Sequence, residues 1–106
     1  MTDLPESTID RKTLLPQLFP HPENYLLLAG LAGTAKDSAA WTGEADNLLT
    51  LGGAMGAAVA MGLGMALSAP DRQVAVMTGD GELLMNVGVL ATVASVMPDN
   101  LTIVCV

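Results

Sequence analysis

The stretch "VAVMTGDGELLMN", residues 74 to 86, decides how this chain folds. "QVAVMT", residues 73 to 78, is a β-branched apolar run bounded by turn chemistry and reads as a buried strand. It stops at Gly79-Asp80-Gly81 and gives way at once to "ELLMNVGVLATVASVM", residues 82 to 97. That segment is too long for one strand and is closed by Pro98, so a helix is predicted there despite its valines. In a parallel sheet, the tip of such a strand and the first turn of the following helix face the ligand crevice outside the carboxyl ends of the strands. Glycines at that junction let the backbone approach a ligand closely, and the amides of Glu82 and Leu83 would point at it.

Asp80 is the residue that a plain turn does not require. An anion at the junction would be favoured by the helix dipole, yet the Asp80 carboxylate would repel it. A divalent cation between the two removes the conflict, and Mg²⁺ is commonly held by one or two carboxylates plus substrate phosphates. The plain alternative is a tight turn whose Asp hydrogen-bonds its own backbone, because Asp-Gly is a common turn dipeptide. The triplet alone leaves both open.

The neighbouring segments extend the pattern. "NYLLLAGLAG", 24 to 33, is an apolar run ended by glycine and reads as a buried strand. "TAKDSAAWTGEADN", 34 to 47, is polar and accommodates one or two helical turns around Ala35 to Trp41. "LLTL", 48 to 51, is a second strand, Gly52-Gly53 opens a small-residue helix from about Ala54 to Ser68, and Pro70-Asp71 turns the chain. "LTIVCV", 101 to 106, is a fourth strand. Strands alternating with helices predict an α/β fold, a parallel sheet with helices on both faces, joined by right-handed crossovers. Ending on an apolar strand, such a sheet reads as incomplete at the C-terminus. Residues 1–23 read as a flexible lead-in with room for one short helix, and 24–106 as a partial domain.

Composition narrows the function. The 106 residues carry a net charge of -7, with Arg11, Lys12, Lys36 and Arg72 as the only cations. Phosphate backbones are bound mainly by Lys and Arg clusters, so nucleic acid and anionic membrane surfaces are poor partners. A phosphate-bearing ligand requires a metal ion, backbone amides or helix N-termini to supply positive potential. Cys105 is the single cysteine, which excludes a disulfide framework and fits a reducing, cytoplasmic setting. The first twenty residues lack the apolar core of a secretory signal. The uncharged segment 48 to 69 is long enough to weigh as a membrane span, although its glycines argue against one.

"GDGELLMNVGVLATVASVMPDNLTIVCV", 79 to 106, resembles the signature of thiamine-diphosphate enzymes. In them a Gly-Asp-Gly is followed by a helix, a strand and then an Asn. "LGGAMGAAVAMGLGMAL", 51 to 67, resembles the glycine-rich segment that precedes the triplet in the same family. The likeness covers residues 24 to 106 and is nearest to 2-oxo acid decarboxylases of the sulfopyruvate and phosphonopyruvate type. It implies thiamine diphosphate and Mg²⁺ as cofactors, with Asp80 as the metal ligand. It also implies that Gly79, Gly81, Glu82 and Leu83 shape the diphosphate pocket through their backbones. Gly52, Gly53 and Ala54 would approach the pyrimidine, and Met55 would be the apolar wedge that keeps the cofactor bent. As a plain alternative, Met55 serves core packing.

The resemblance implies further that no catalytic residue lies in this chain. The activating Glu would come from a pyrimidine-binding domain or subunit in a homo- or hetero-oligomer acting on a small 2-oxo acid. By the family's interval, the Asn that joins Asp80 on Mg²⁺ would fall just beyond Val106. Glu82 stands where these decarboxylases carry a small residue, and its charge calls for an outward rotamer or the metal. Two other readings stay open: a fragment that binds no cofactor, and a small membrane protein built on residues 48 to 69.

Weaker candidates complete the survey. His21 lies between prolines and reads as a surface residue. Asp37, Glu44 and Asp46 read as solvated charge that could line an entrance. Asn86 is equally suited to a ligand or to neighbouring backbone. Gly62-x-Gly64-x-x-Leu67 fails as a nicotinamide fingerprint, because it lacks the third glycine and sits inside a helix.

Overall fold

The computed structural model describes residues 10–30, 32–43 and 45–106. Strands β1 (Tyr25–Ala29), β2 (Leu48–Thr50), β3 (Gln73–Thr78) and β4 (Leu101–Cys105) form one sheet in the order β2-β1-β3-β4. Every pairing is parallel. The helices are α1 (Arg11–Leu18), α2 (Ala32–Thr42), α3 (Ala58–Ser68), α4 (Asp80–Leu84) and α5 (Val89–Val96).

Successive strand residues point to opposite faces, and both faces are apolar here, as in a sheet covered on both sides. Leu28, Val74 and Val76 pack with Ala58, Val59 and Ala66 of α3 and Val89 of α5. Leu27, Ala29, Ala75 and Met77 form a second cluster with Leu15 of α1 and Phe19, flanked by Tyr25 and Trp41. The predicted α/β architecture, with helices on both faces, is therefore observed. The short helix allowed for in the lead-in is α1, and its Leu15 and the following Phe19 belong to the core. Phe19 stacks edge-on against Tyr25 at 5.0 Å and lies 6.1 Å from Trp41, so the chain's three aromatic residues form one cluster. Residues 1–9 of the lead-in lie outside the described residues.

Three expectations about helices are corrected. The helix expected from Ala54 begins at Ala58, because Gly56 has φ +87 and a left-handed residue cannot sit inside a right-handed helix. The long helix expected over 82–97 is two helices, α4 and α5, separated by a turned segment at 85–88. There the backbone closes tight turns, Asn86 N–H to Leu83 O and Val89 N–H to Asn86 O, in place of a continuous helical ladder. The polar segment after β1 forms three turns of helix, α2, with Thr34 and Ser38 buried. None of the described helices is long and apolar enough to cross a membrane, and α3 has only 11 residues, which removes the support for a span over 48–69.

Asn100 holds the amino end of the sheet. Its buried Nδ2 lies 3.0 Å from Ala66 O, 3.1 Å from Ala69 O and 2.8 Å from Arg72 O, and its carbonyl accepts from Val74 N–H at 2.8 Å. It thus joins the end of α3, the following turn and the start of β4.

Candidate functional site

Because all four strands run parallel, the segments after β1, β2, β3 and β4 meet at one edge of the sheet. The order reverses at β1: β2 lies on one side of it and β3 on the other. That reversal opens a crevice between the carboxyl ends of β1 and β3, the usual ligand position in such sheets. Gly30 closes β1 with its N–H on Met77 O at 2.9 Å, and Gly79 follows β3. The candidate site lies at this reversal.

The segment after β2 crosses to it. Leu51 N–H donates to Ala29 O at 3.0 Å, and Gly52, Gly53, Ala54 and Met55 then run exposed along the edge. A Cβ at Gly52 or Gly53 would meet nothing within 4 Å, and Met55 is half exposed. Gly56 ends the run against the turn after α4. Its carbonyl accepts from Asn86 Nδ2 at 3.1 Å, and a Cβ there would come within 3.1 Å of the Asn86 Cβ. Asn86 therefore bonds neighbouring backbone, one of the two roles considered for it, and brings the 52–56 and 79–83 segments together.

In the second segment, Gly79 is the N-cap of α4 in an extended conformation. Asp80 is exposed, and its Oδ1 accepts from Gly81 N–H at 2.8 Å. The local Asp turn is thus present, and a carboxylate that accepts one hydrogen bond keeps further lone pairs for a cation. Gly81 is exposed, with nothing within 4 Å of a Cβ. Leu83 is half-buried against the α3–α5 core, and its N–H donates to Gly79 O at 2.9 Å. Its amide is committed within the turn, so the expectation that it points at a ligand does not hold.

Glu82 departs most from expectation. Its side chain turns inward and is only 6% exposed. Thr78, itself buried at the end of β3, donates its hydroxyl to Glu82 Oε2 at 3.2 Å. The carboxylate abuts Gly30 so closely that a Cβ at residue 30 would collide with it. Gly30 lies two residues before α2, so the charge rests at a helix N-terminus, where the macrodipole favours an anion. The outward rotamer expected for Glu82 is therefore not observed.

Strand β4 reaches the same edge. Val106 N–H donates to Thr78 O at 2.8 Å, and its carbonyl stands 3.9 Å from the position of a Gly79 Cβ. No cluster of three or more His, Cys, Asp or Glu side chains occurs among the described residues. Asp80 is the carboxylate exposed at the junction, and a cation there would take its remaining ligands from elsewhere. His21 is a surface residue beside Glu23 at 3.4 Å, Asp37 is on α2, Asp46 is exposed, and Glu44 lies outside the described residues.

Residues 31–106 match the family described as "Thiamine pyrophosphate enzyme, C-terminal TPP binding domain". The chain belongs to this family. Among its relatives is the sulfopyruvate decarboxylase subunit beta of Methanothermobacter thermautotrophicus, 54% identical over 52 residues, 49% of this chain and 28% of that protein. Phosphonopyruvate decarboxylase of Streptomyces hygroscopicus is 50% identical over 58 residues, 55% of this chain and 14% of the relative. The beta subunit of sulfopyruvate decarboxylase from Methanocaldococcus jannaschii is 44% identical over 54 residues, 51% of this chain and 28% of the relative. The aligned part thus spans between 14% and 28% of the length of these relatives. In this domain, then, the bond from Asn86 to Gly56 O brings the segment after β2 to the turn after α4 at the carboxyl edge of the sheet. Gly30 and Thr78, which residue patterns did not single out, lie at this edge against the inward side chain of Glu82, whose orientation those patterns did not give; a buried carboxylate meets a distant glycine only through tertiary contact.

Proposed function

We propose that this chain anchors the diphosphate of thiamine diphosphate through Mg²⁺ held by Asp80, as part of a 2-oxo acid decarboxylase-type lyase. The observation that carries the reading is the convergence of the two glycine segments, pinned by Asn86 on Gly56, beside the exposed Asp80 carboxylate. The residues present fit the group. Gly52, Gly53 and Gly81 leave open backbone where a Cβ would otherwise stand, and an exposed carboxylate supplies the hard oxygen that Mg²⁺ prefers. In an acidic protein this pairing explains how a diphosphate is tolerated at all.

When bound, thiamine diphosphate supplies the electron sink for loss of CO₂ from a 2-oxo acid. The chain's own residues bind and orient. Gly79, Gly81 and the backbone of Glu82 form the diphosphate turn, which Leu83 closes through its N–H on Gly79 O; Gly52, Gly53 and Ala54 line the approach to the ring system, and Met55 offers an apolar side chain there. The substrate class is a 2-oxo acid of the sulfopyruvate or phosphonopyruvate type, after the activities named for the relatives. A pyrimidine-binding domain or second subunit completes the site with the activating Glu; the naming of two relatives as beta subunits supports a multi-subunit assembly.

Calorimetric titration tests the reading. Thiamine diphosphate added with Mg²⁺ should give saturable heat that chelation of the metal abolishes. Absence of heat at millimolar ligand would overturn it and favour a fragment without cofactor binding.

A further inference from the structure

The side chain of Glu82, whose backbone belongs to the proposed diphosphate turn, is packed against Gly30 at the reversal of strand order. Burial of a carboxylate is costly unless it is compensated. Here the Thr78 hydroxyl donates to the carboxylate at 3.2 Å, and the glycine that the carboxylate abuts lies two residues before α2. The geometry is also reciprocal: residue 30 must lack a Cβ for the Glu82 carboxylate to occupy its position. Glu82 lies two residues after Asp80 on α4, a helix of only 5 residues that could not hold its orientation unaided.

We propose that Glu82 is a positioning residue: its side chain, wedged on Gly30 and bonded to Thr78, fixes the Asp80 turn against the β1–α2 junction. This rests on the cofactor reading for its purpose but not for its geometry. Short helices fray, and α4 is tied at one side through Asn86 and at the other through Glu82. With both ties, Asp80 is presented at a fixed height above the end of β3. Without the second, the turn that closes Leu83 N–H onto Gly79 O opens more often.

Four variants test the proposal: Gly30→Ala, Glu82→Ser, the two combined, and Glu82→Gln. In thermal unfolding of the ligand-free chain, Gly30→Ala should lower Tm by about 5 °C or more with Glu82 present and far less in the Glu82→Ser background. Equal losses in both backgrounds would overturn the wedge. Hydrogen exchange of the Leu83 amide should accelerate about tenfold in Glu82→Ser, with Val76 unchanged, and return towards the parent rate in Glu82→Gln, which keeps the shape and the Thr78 contact. Unchanged exchange in Glu82→Ser would overturn positioning, and this comparison stands even if Gly30→Ala does not fold. Affinity for Mg²⁺-thiamine diphosphate should follow the same order, falling about tenfold in Glu82→Ser and recovering in Glu82→Gln. If the parent chain binds no cofactor, the proposed function falls, and the ligand-free exchange data alone decide the role of Glu82.

Discussion

Asn86 Nδ2 donates to Gly56 O at 3.1 Å across 30 residues of sequence. The bond ties the glycine segment after β2 to the turn after α4, and with it the two halves of the site. Replacement by Ala removes a part-buried hydrogen bond and should cost about 1 kcal/mol in chemical unfolding. Affinity for Mg²⁺-thiamine diphosphate should fall severalfold, since residues 52–55 lose their fixed distance to Asp80. Unaltered affinity in Asn86→Ala would show that the two segments bind independently of this tie.

Asp80 makes a hydrogen bond to Gly81 N–H and, as proposed, also holds the metal. Asp80→Asn separates these roles, because the amide oxygen keeps the turn while the negative charge is lost. Unfolding stability of Asp80→Asn should stay within about 0.5 kcal/mol of the parent. Metal-dependent cofactor binding in a titration should weaken by tenfold or more, about 1.4 kcal/mol. Retained affinity would reduce Asp80 to a turn residue.

Two glycines of α3 should respond oppositely to alanine. A Cβ at Gly62 would collide with the Val76 side chain of β3, so Gly62→Ala overpacks the contact between helix and sheet and should destabilise by about 1–3 kcal/mol. Gly64 is exposed with nothing within 4 Å, so Gly64→Ala should stabilise by about 0.5–1 kcal/mol through helix propensity. Urea midpoints of the two variants should therefore move in opposite directions.

Asn100 is buried with three carbonyls around its amide, distant from the cofactor edge. Asn100→Ala leaves these carbonyls without their donor and should cost about 1–3 kcal/mol. Folded Asn100→Ala should bind cofactor as the parent does; a binding defect at full folding would reveal coupling between the two ends of the sheet.

Cofactor removal gives a separate check. Saturating Mg²⁺-thiamine diphosphate should raise the unfolding free energy by RT ln(1 + [L]/Kd), about 2.7 kcal/mol at a hundredfold excess over Kd. Chelation should return Tm to that of the ligand-free chain. A Tm indifferent to the cofactor would count against binding to the folded state.

Much was legible in the residues themselves. The apolar runs at 25–29 and 73–78 and the glycine stops after them dictate strands with both faces buried, and hence a parallel sheet clothed by helices. The triplet Gly79-Asp80-Gly81 marks the carboxyl edge of the sheet, because a strand-to-helix junction can occur nowhere else in such a sheet. These features are local, set by propensity and period, and a chain carries them wherever it goes. The start of α3, the break between α4 and α5 and the inward turn of Glu82 were decided by tertiary structure. Each depends on a partner far away in sequence: Gly56 on Asn86, and Glu82 on Gly30 and on the end of α2. A carboxylate reads as solvent-facing until a folded neighbour offers it a hydroxyl, a helix end and a glycine without a Cβ.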